Sequence, residues 1–156
     1  MGCSPAGPTS SSDLQYKITK NEKINRRTLA YQHRRASVKT MFKVIVAGGR
    51  DFTDYKLQDT TLQHLLSQKS DIEIVSGMAQ GADTLALTYA FVHKLPVRKF
   101  PADWDKHGNP AGYIRNLEMA KYADACACFW DGKSKGTADM IRVARYYKLP
   151  VRVIRY

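Results

Sequence analysis

A glycine pair followed by charged residues forms the first candidate ligand-binding segment. Its members are Gly48, Gly49, Arg50 and Asp51. Glycines let a backbone approach a ligand closely, and a helix that begins just after them points free N–H groups at the same place, as in phosphate sites. The guanidinium of Arg50 adds positive charge there. The alternative is a tight turn that leaves Arg50 in solvent.

A second glycine-rich segment spans residues 76–83 and leads into another predicted helix. Its candidates are Ser76, Gly77, Gly81 and Asp83. Asp83 falls in the first turn of that helix, where a negative charge favours the N-terminal end of the helix dipole. The functional alternative is a carboxylate that accepts hydrogen bonds from a sugar hydroxyl or a base, since ligands of open α/β sheets bind at strand ends.

Aromatic and polar groups come from two later segments, residues 101–112 and 130–137. In the first, Asp103 can accept hydrogen bonds from ligand hydroxyls, and Trp104 can stack on a base. In the second, glycines, lysines and a threonine ahead of a helix make a candidate phosphate cradle, and its tryptophan is a second base-stacking group. The candidates of that segment are Trp130, Lys135, Gly136 and Thr137.

An arginine and an asparagine on the third predicted helix complete the candidate site. Asn109 and Pro110 predict the start of this helix, so Arg115 and Asn116 fall within its first two turns. A guanidinium there can make charge-assisted, bidentate bonds to phosphate. The alternative is a surface ion pair with Glu118.

These segments lack the common nucleotide-binding signatures, and the sequence shows no metal site. The first segment is not GxGxxG, and the fourth has Gly136-Thr137 where Walker A requires Gly-Lys-Ser/Thr. Cys126 and Cys128 alternate on a predicted buried strand, where they are expected to pack as small hydrophobic groups. Without a second pair of ligands they make no zinc site, and no cofactor is implied.

Short apolar runs alternate with helical periods and must position these segments. Strands are predicted at 42–47, 72–76, 96–100, 124–130 and 151–155. The first and fourth runs are the most apolar and suit buried central strands, whereas the third and fifth carry charges that suit edges. Right-handed crossovers then give the strand order 3-2-1-4-5 in a Rossmann-like, three-layer α/β fold with a parallel sheet. The candidate segments therefore meet at the carboxyl edge, where the strand order reverses.

The charge of the chain is concentrated at one end. Lys plus Arg number 25 and Asp plus Glu 14, a net charge of +11, of which residues 1–40 hold +6. This composition predicts a basic, poorly ordered or weakly helical extension over residues 1–40 and a compact domain over residues 41–156. The extension is either a solvated tail or a weak nucleic-acid contact. No apolar run is long enough to span a membrane, and the sparse cysteines are typical of the cytoplasm.

Five motifs in this order resemble the YspA/YpsA-related branch of the SLOG superfamily. They are Gly48–Phe52, Ser76–Asp83, Pro101–Trp104, Ala111–Asn116 with Met119, and Gly136–Met140. The resemblance covers about residues 42–155. It implies a Rossmann-like domain that senses or processes a nucleotide-derived ligand, in a family frequent in bacteria and phages.

Relatives within that superfamily imply two further functions. The "lonely guy" phosphoribohydrolases cut the N-glycosidic bond of nucleoside monophosphates with an arginine and a glutamate, and Met140 stands at the glutamate position here, after Asp139. If the chain is such an enzyme, Arg115, Asp83 and Asp103 are its candidate catalytic residues. The DNA-processing protein A relatives bind single-stranded DNA and share a similar Ser-Gly-x-Ala-x-Gly segment and an Arg-Asn pair.

We therefore predict that the chain binds a nucleotide or nucleotide derivative at the carboxyl edge of the sheet. The backbone amides of residues 48–50 and 136–137, with Arg115, would hold phosphate. Asp83 or Asp103 would face the ribose, and Trp104 or Trp130 the base. The sequence leaves open which base is bound, whether a reaction follows, and whether the chain forms a homo-oligomer.

Overall fold

The computed structural model describes residues 40–156, and these residues form one compact unit, Thr40–Tyr156. The predicted basic extension over residues 1–40 lies outside the described residues, apart from Thr40. Within the described residues, no helix is long and apolar enough to cross a membrane.

A parallel sheet organises the described part of the chain. Its strands are β1 (Phe42–Gly48), β2 (Ile72–Ser76), β3 (Val97–Lys99), β4 (Ala125–Trp130) and β5 (Val151–Arg155). All neighbouring strands pair in parallel, in the order β3-β2-β1-β4-β5, which confirms the predicted order. The apolar strands β1 and β4 lie inside, and the charged strands β3 and β5 form the edges, as their compositions require.

Helices cover both faces of the sheet and complete the predicted three-layer α/β fold. They are α1 (Tyr55–Leu66), α2 (Ala82–Val92), α3 (Trp104–His107), α4 (Ala111–Tyr122) and α5 (Lys135–Tyr146). Successive β1 side chains point to opposite faces, so Val44 packs with Leu62 of α1 while Ile45 packs with Met119 of α4. Two hydrophobic cores result, one on each side of the sheet.

The second core also contains both cysteines of the described residues. Cys126 and Cys128 are buried on the α4–α5 side of β4, with their Sγ atoms 3.4 Å apart. They pack there as small hydrophobic groups. In residues 40–156, no group of three or more His, Cys, Asp or Glu side chains could hold a metal ion.

The chain between β3 and α4 differs in detail from the sequence prediction. A one-turn helix, α3, begins where a loop was expected, because the Asp103 carboxylate accepts a hydrogen bond from the Lys106 N–H at 2.9 Å and caps it. The predicted cap of α4 at Asn109 is wrong by one residue. Pro110 precedes the helix instead, and its carbonyl accepts from the N–H groups of Tyr113 and Ile114.

Candidate functional site

The carboxyl ends of the strands surround a cavity of about 490 Å³, at the edge where the predicted segments were expected to meet. The predicted residues that line it are Gly48, Arg50, Asp51, Asp83, Trp104, Arg115, Asn116, Gly136 and Thr137. A smaller cavity of about 250 Å³ adjoins it and is lined by the predicted Gly77. Four residues line both cavities and so stand between them: Arg50, Ala79, Trp104 and Arg115.

Hydrogen bonds fix the side chain of Arg115 at the cavity. Its Nη1 donates to the carbonyl oxygen of Gly77 at 2.8 Å, and its Nη2 donates to Oδ1 of Asn116 at 3.3 Å. Its Nε is buried and has no hydrogen-bond partner among the described residues. No carboxylate of these residues lies within ion-pair distance of the guanidinium, so the alternative of a surface pair with Glu118 is wrong. Arg115 is therefore fixed in place while its charge stays without a direct partner.

Asp83 lies beneath this arginine in the first turn of α2, as predicted, and is almost fully buried. Its Oδ2 accepts a hydrogen bond from the Gly77 N–H at 3.0 Å. Burial raises the pKa of the carboxyl to about 6, and Arg115 is the largest influence in the opposite direction. Burial also lowers the pKa of Arg115; Asp83 counters this shift, and the nearby Arg50 adds to it. Two cations thus share one buried acid, which favours an anionic ligand.

The raised pKa of Asp83 predicts a pH-dependent difference in stability. Because the carboxyl has a pKa of about 6 when folded and 3.8 when unfolded, the stability it contributes is full below pH 3.8 and is lost as the pH rises through 6. We expect Asp83→Asn to gain stability relative to the wild type on going from pH 4.5 to 7.5, by about 2 kcal/mol. Urea unfolding at both pH values measures this gain. Asp105→Asn, at an exposed carboxylate on α3, is the control, and a gain that is the same at both pH values would contradict the prediction.

The start of α5 offers backbone donors to the cavity. Ser134 caps the helix through its Oγ, which accepts from the Thr137 N–H at 3.4 Å. The first two helical N–H groups, those of Lys135 and Gly136, have no acceptor among the described residues, as is usual at a helix N-terminus. Asp131 lines the same side, but the N–H groups of Ser134 and Lys133 already bind its carboxylate and lower its pKa. Gly136, with its free N–H, and Thr137 are therefore the parts of the predicted cradle that reach the cavity.

On α5 the acidic side chain turns away from the cavity. Asp139 is buried, accepts from Nδ2 of Asn116 at 3.0 Å and pairs with Arg142 at 2.6 Å. Met140 lines the cavity instead. The position at which the resembling hydrolases carry a glutamate is thus apolar, and the neighbouring carboxylate is already bound.

Two aromatic rings stand exposed at the cavity. Trp104 was predicted there, and Tyr113 was not; each is 51% exposed, and both line the cavity. Tyr113 lies in the first turn of α4, two residues before Arg115. The sequence feature that could have identified Tyr113 as a cavity residue is its place within the Ala111–Asn116 motif.

Trp130 does not lie at the cavity. As the last residue of β4 it points to the same side as Cys126 and Cys128, where it packs against the second core. Its Nε1 donates to the Ser134 carbonyl, and the Arg155 guanidinium lies 4.9 Å from the centre of its ring. The prediction that Trp130 faces the cavity is therefore wrong.

The remaining predicted glycines and Ser76 serve packing rather than the cavity. The Gly49 N–H donates to the Phe129 carbonyl, and a Cβ at Gly49 would overlap the hydroxyl of Tyr156. Burial and a hydrogen bond to Asp51 raise the pKa of that tyrosine to about 12, so it stays a donor. Ser76 is buried, and its Oγ donates to the main-chain oxygen of Asp83. Gly49, Ser76 and Gly81 do not line the cavity.

Two polar candidates lie outside the cavity lining as well. Asp103 is exposed and its carboxylate caps α3, which occupies the oxygen that was expected to face a ribose. Lys135 is exposed at the start of α5, and its side chain does not line the cavity. Of the acids considered from the sequence, Asp83 is the one that the fold brings to Arg115.

Comparison with known proteins identifies the family. The model of the YspA, cpYpsA-related SLOG family matches residues 42–107. The Gene 61 protein of Mycobacterium phage D29 is 32% identical over 118 residues, which cover 71% of this chain and 94% of that protein. The chain belongs to the YspA, cpYpsA-related SLOG family.

Solved structures show the same fold as this SLOG chain. DNA processing protein A from Helicobacter pylori, described for its single-stranded DNA binding mode, has a TM-score of 0.53 at 20% identity, covering 75% of this chain and 66% of that one. DNA processing protein A from Streptococcus pneumoniae has a TM-score of 0.59 at 18% identity, covering 76% and 51%. The SLOG chain thus spans between half and two thirds of these proteins, and the likeness concerns the fold.

Proposed function

We propose that the chain binds a nucleotide or a nucleotide-derived ligand in the cavity at the carboxyl edge of the sheet. The observation that carries the proposal is Arg115, a guanidinium held by backbone and amide oxygens with no carboxylate paired to it among the described residues. A cavity of about 490 Å³ is also within the usual range for small-molecule sites. The family membership supports the same ligand class.

The lining groups suggest how such a ligand lies. The phosphate would bind Arg115 and the free N–H of Gly136, which combine a charged fork with a helix N-terminus. The base would stack on Trp104 or Tyr113, whose rings are exposed at the cavity. Asp83, rather than the capping residue Asp103, would take the ribose side. No metal or cofactor is needed for these contacts.

Binding is better supported than hydrolysis of an N-glycosidic bond. That reaction needs a carboxylate beside the glycosidic carbon, and α5 presents Met140 there while Asp139 is bound by Asn116 and Arg142. Asp83 accepts a backbone hydrogen bond and is almost fully buried. A shared fold does not by itself transfer a reaction.

A second candidate is binding of single-stranded nucleic acid. The exposed rings of Trp104 and Tyr113 next to two arginines favour it, because bases of any sequence stack on aromatic side chains. The Helicobacter pylori protein of the same fold is described for single-stranded DNA binding. The basic residues 1–40 would add a salt-sensitive contact.

Thermal unfolding in the presence of a nucleotide panel tests the proposal. We expect at least one nucleoside monophosphate or ADP-ribose to stabilise the full chain, by about 2.7 kcal/mol at 100 times its Kd. Nucleosides without phosphate are the control and should stabilise it far less, and native mass spectrometry gives the stoichiometry. A response to oligothymidylate and to no small nucleotide would favour the second candidate. No response at all would contradict both, and free base released from AMP would establish hydrolysis instead.

A further inference from the structure

A second groove, separate from the nucleotide cavity, lies between α5 and the edge strand β5. Its volume is about 410 Å³, and its apolar lining includes Ile141 and Val153. Three arginines line it as well, Arg142, Arg145 and Arg155, together with Trp130. We call this set the arginine groove. No carboxylate of the described residues lines it, so its charge complements an anion.

Two of these arginines have no partner for their charge among the described residues. The Arg155 guanidinium lies over the Trp130 ring, 4.9 Å from its centre, and packs against Gly132, where a Cβ would overlap it. These contacts fix the guanidinium, and no carboxylate of the described residues pairs with it. Arg145 is exposed in the last turn of α5, and no described carboxylate pairs with it. Arg142 pairs with Asp139, although its side chain is still 73% exposed. Arg145 and Arg155 are therefore the groups free to bind phosphate.

The arginine groove and the nucleotide cavity are neighbours. Trp130 in the groove donates its Nε1 hydrogen to the carbonyl of Ser134, and Ser134 lines the cavity. The loop that separates them carries exposed Lys133 and also Asp131, whose carboxylate accepts from the N–H groups of Lys133 and Ser134. Exposed Lys135 follows the loop at the start of α5, so lysines outnumber acids here by two to one. A chain of phosphates leaving the cavity over this loop would therefore meet positive charge along the way.

We infer that the arginine groove binds the phosphodiester backbone of a single-stranded nucleic acid, one nucleotide of which occupies the cavity. The inference rests on the second candidate function. A single strand fits because its bases are unpaired and one can enter the cavity, while the guanidinium forks of Arg145 and Arg155 bind phosphate oxygens. Each phosphate neutralised on a single strand contributes about −0.7 to the slope of log K against log salt.

Salt-dependent binding of the full chain to oligothymidylate tests the groove. Arg145→Gln/Arg155→Gln removes two charges and leaves the Arg142–Asp139 pair intact, so we expect the slope to become less steep by about 1.4. The matched control is Lys56→Gln/Lys94→Gln, at exposed lysines of the α1–α2 side, which should keep the wild-type slope. The thermal response to mononucleotides should be the same in all three proteins.

Trp130 provides a direct readout of occupancy. The chain has two tryptophans, so Trp104→Phe leaves Trp130 as the sole one. At concentrations that saturate this variant, we expect oligothymidylate to protect its fluorescence from acrylamide quenching, and AMP to protect it less. An unchanged slope in the double variant, with Trp130 unprotected, would overturn the groove while nucleotide binding in the cavity stands. Equal competition by polyglutamate of the same charge would overturn the assignment to nucleic acid.

Discussion

Arg115→Gln is expected to weaken nucleotide binding about 100-fold. The substitution removes the fork that would make charge-assisted bonds to phosphate, and each hydrogen bond to a charged group contributes about 1.5–3 kcal/mol. A loss of about 2.7 kcal/mol corresponds to the stated factor. The variant should still fold, because Arg115 lies on the surface of α4 that faces the cavity, although it loses two hydrogen bonds and the charge that faces buried Asp83. Isothermal titration with the ligand found in the panel measures the effect.

Two further variants separate the geometry of Arg115 from its charge. Arg115→Lys keeps a positive charge but loses the planar fork, so we expect an intermediate loss of about tenfold. Arg98→Gln, an exposed position on the edge strand β3, is the control for a general loss of charge and should bind as the wild type does. Wild-type affinity in Arg115→Gln, with unchanged unfolding, would place the phosphate away from this residue.

The strand order could be predicted because charge and burial agree along the sequence. Val97-Arg98-Lys99 and Val151–Arg155 interleave charges with apolar residues, and such strands are tolerated at edges, where one side meets water. The run Ala125–Trp130 contains no charge and lies between two neighbours. The preference of charged strands for the edges and of apolar strands for the interior applies to a whole strand. An error of one residue in the predicted bounds of a strand therefore leaves the predicted order unchanged.

The place of each side chain within a loop was harder to predict, because residue type alone does not distinguish a ligand contact from a packing contact. Gly48 lines the cavity, whereas the adjacent Gly49 accommodates Tyr156, from the far end of the chain. The Asp103 carboxylate could either accept from a ligand hydroxyl or cap a helix. In the structure it caps α3. Such choices depend on contacts between residues distant in sequence.

The position of Trp130 could have been predicted from the sequence. Side chains alternate along a strand, so Trp130 must share a face with Cys126 and Cys128 rather than project from the strand end. That face packs against α5, and the ring lies there. Trp104 follows no long strand, so alternation gave no guidance, and its exposure at the cavity depended on the short helix α3.

Gly81 lies in the second candidate segment and packs against the first. Among the substitutions considered, its replacement should lower the free energy of unfolding the most. It precedes α2 with a φ of 79°, a conformation that side chains with a Cβ rarely adopt. A Cβ at this position would also overlap the carbonyl oxygen of Gly49. That same oxygen accepts hydrogen bonds from the N–H groups of Phe52 and Ala82, so it cannot move without breaking the turn after β1.

Gly81→Ala is therefore expected to lower the free energy of unfolding by about 3–4 kcal/mol. The unfavourable φ accounts for about 1–3 kcal/mol, and the displaced backbone for the rest. Urea unfolding followed by circular dichroism measures the change. Gly136→Ala is the matched control, because a Cβ added at this position of α5 would have no described atom within 4 Å beyond its chain neighbours and its own helix backbone. That substitution should leave stability unchanged or slightly raised. A loss below about 1 kcal/mol in Gly81→Ala would show that the Gly49 turn can shift, and the cavity wall formed by Gly48 and Arg50 would then be adaptable rather than fixed.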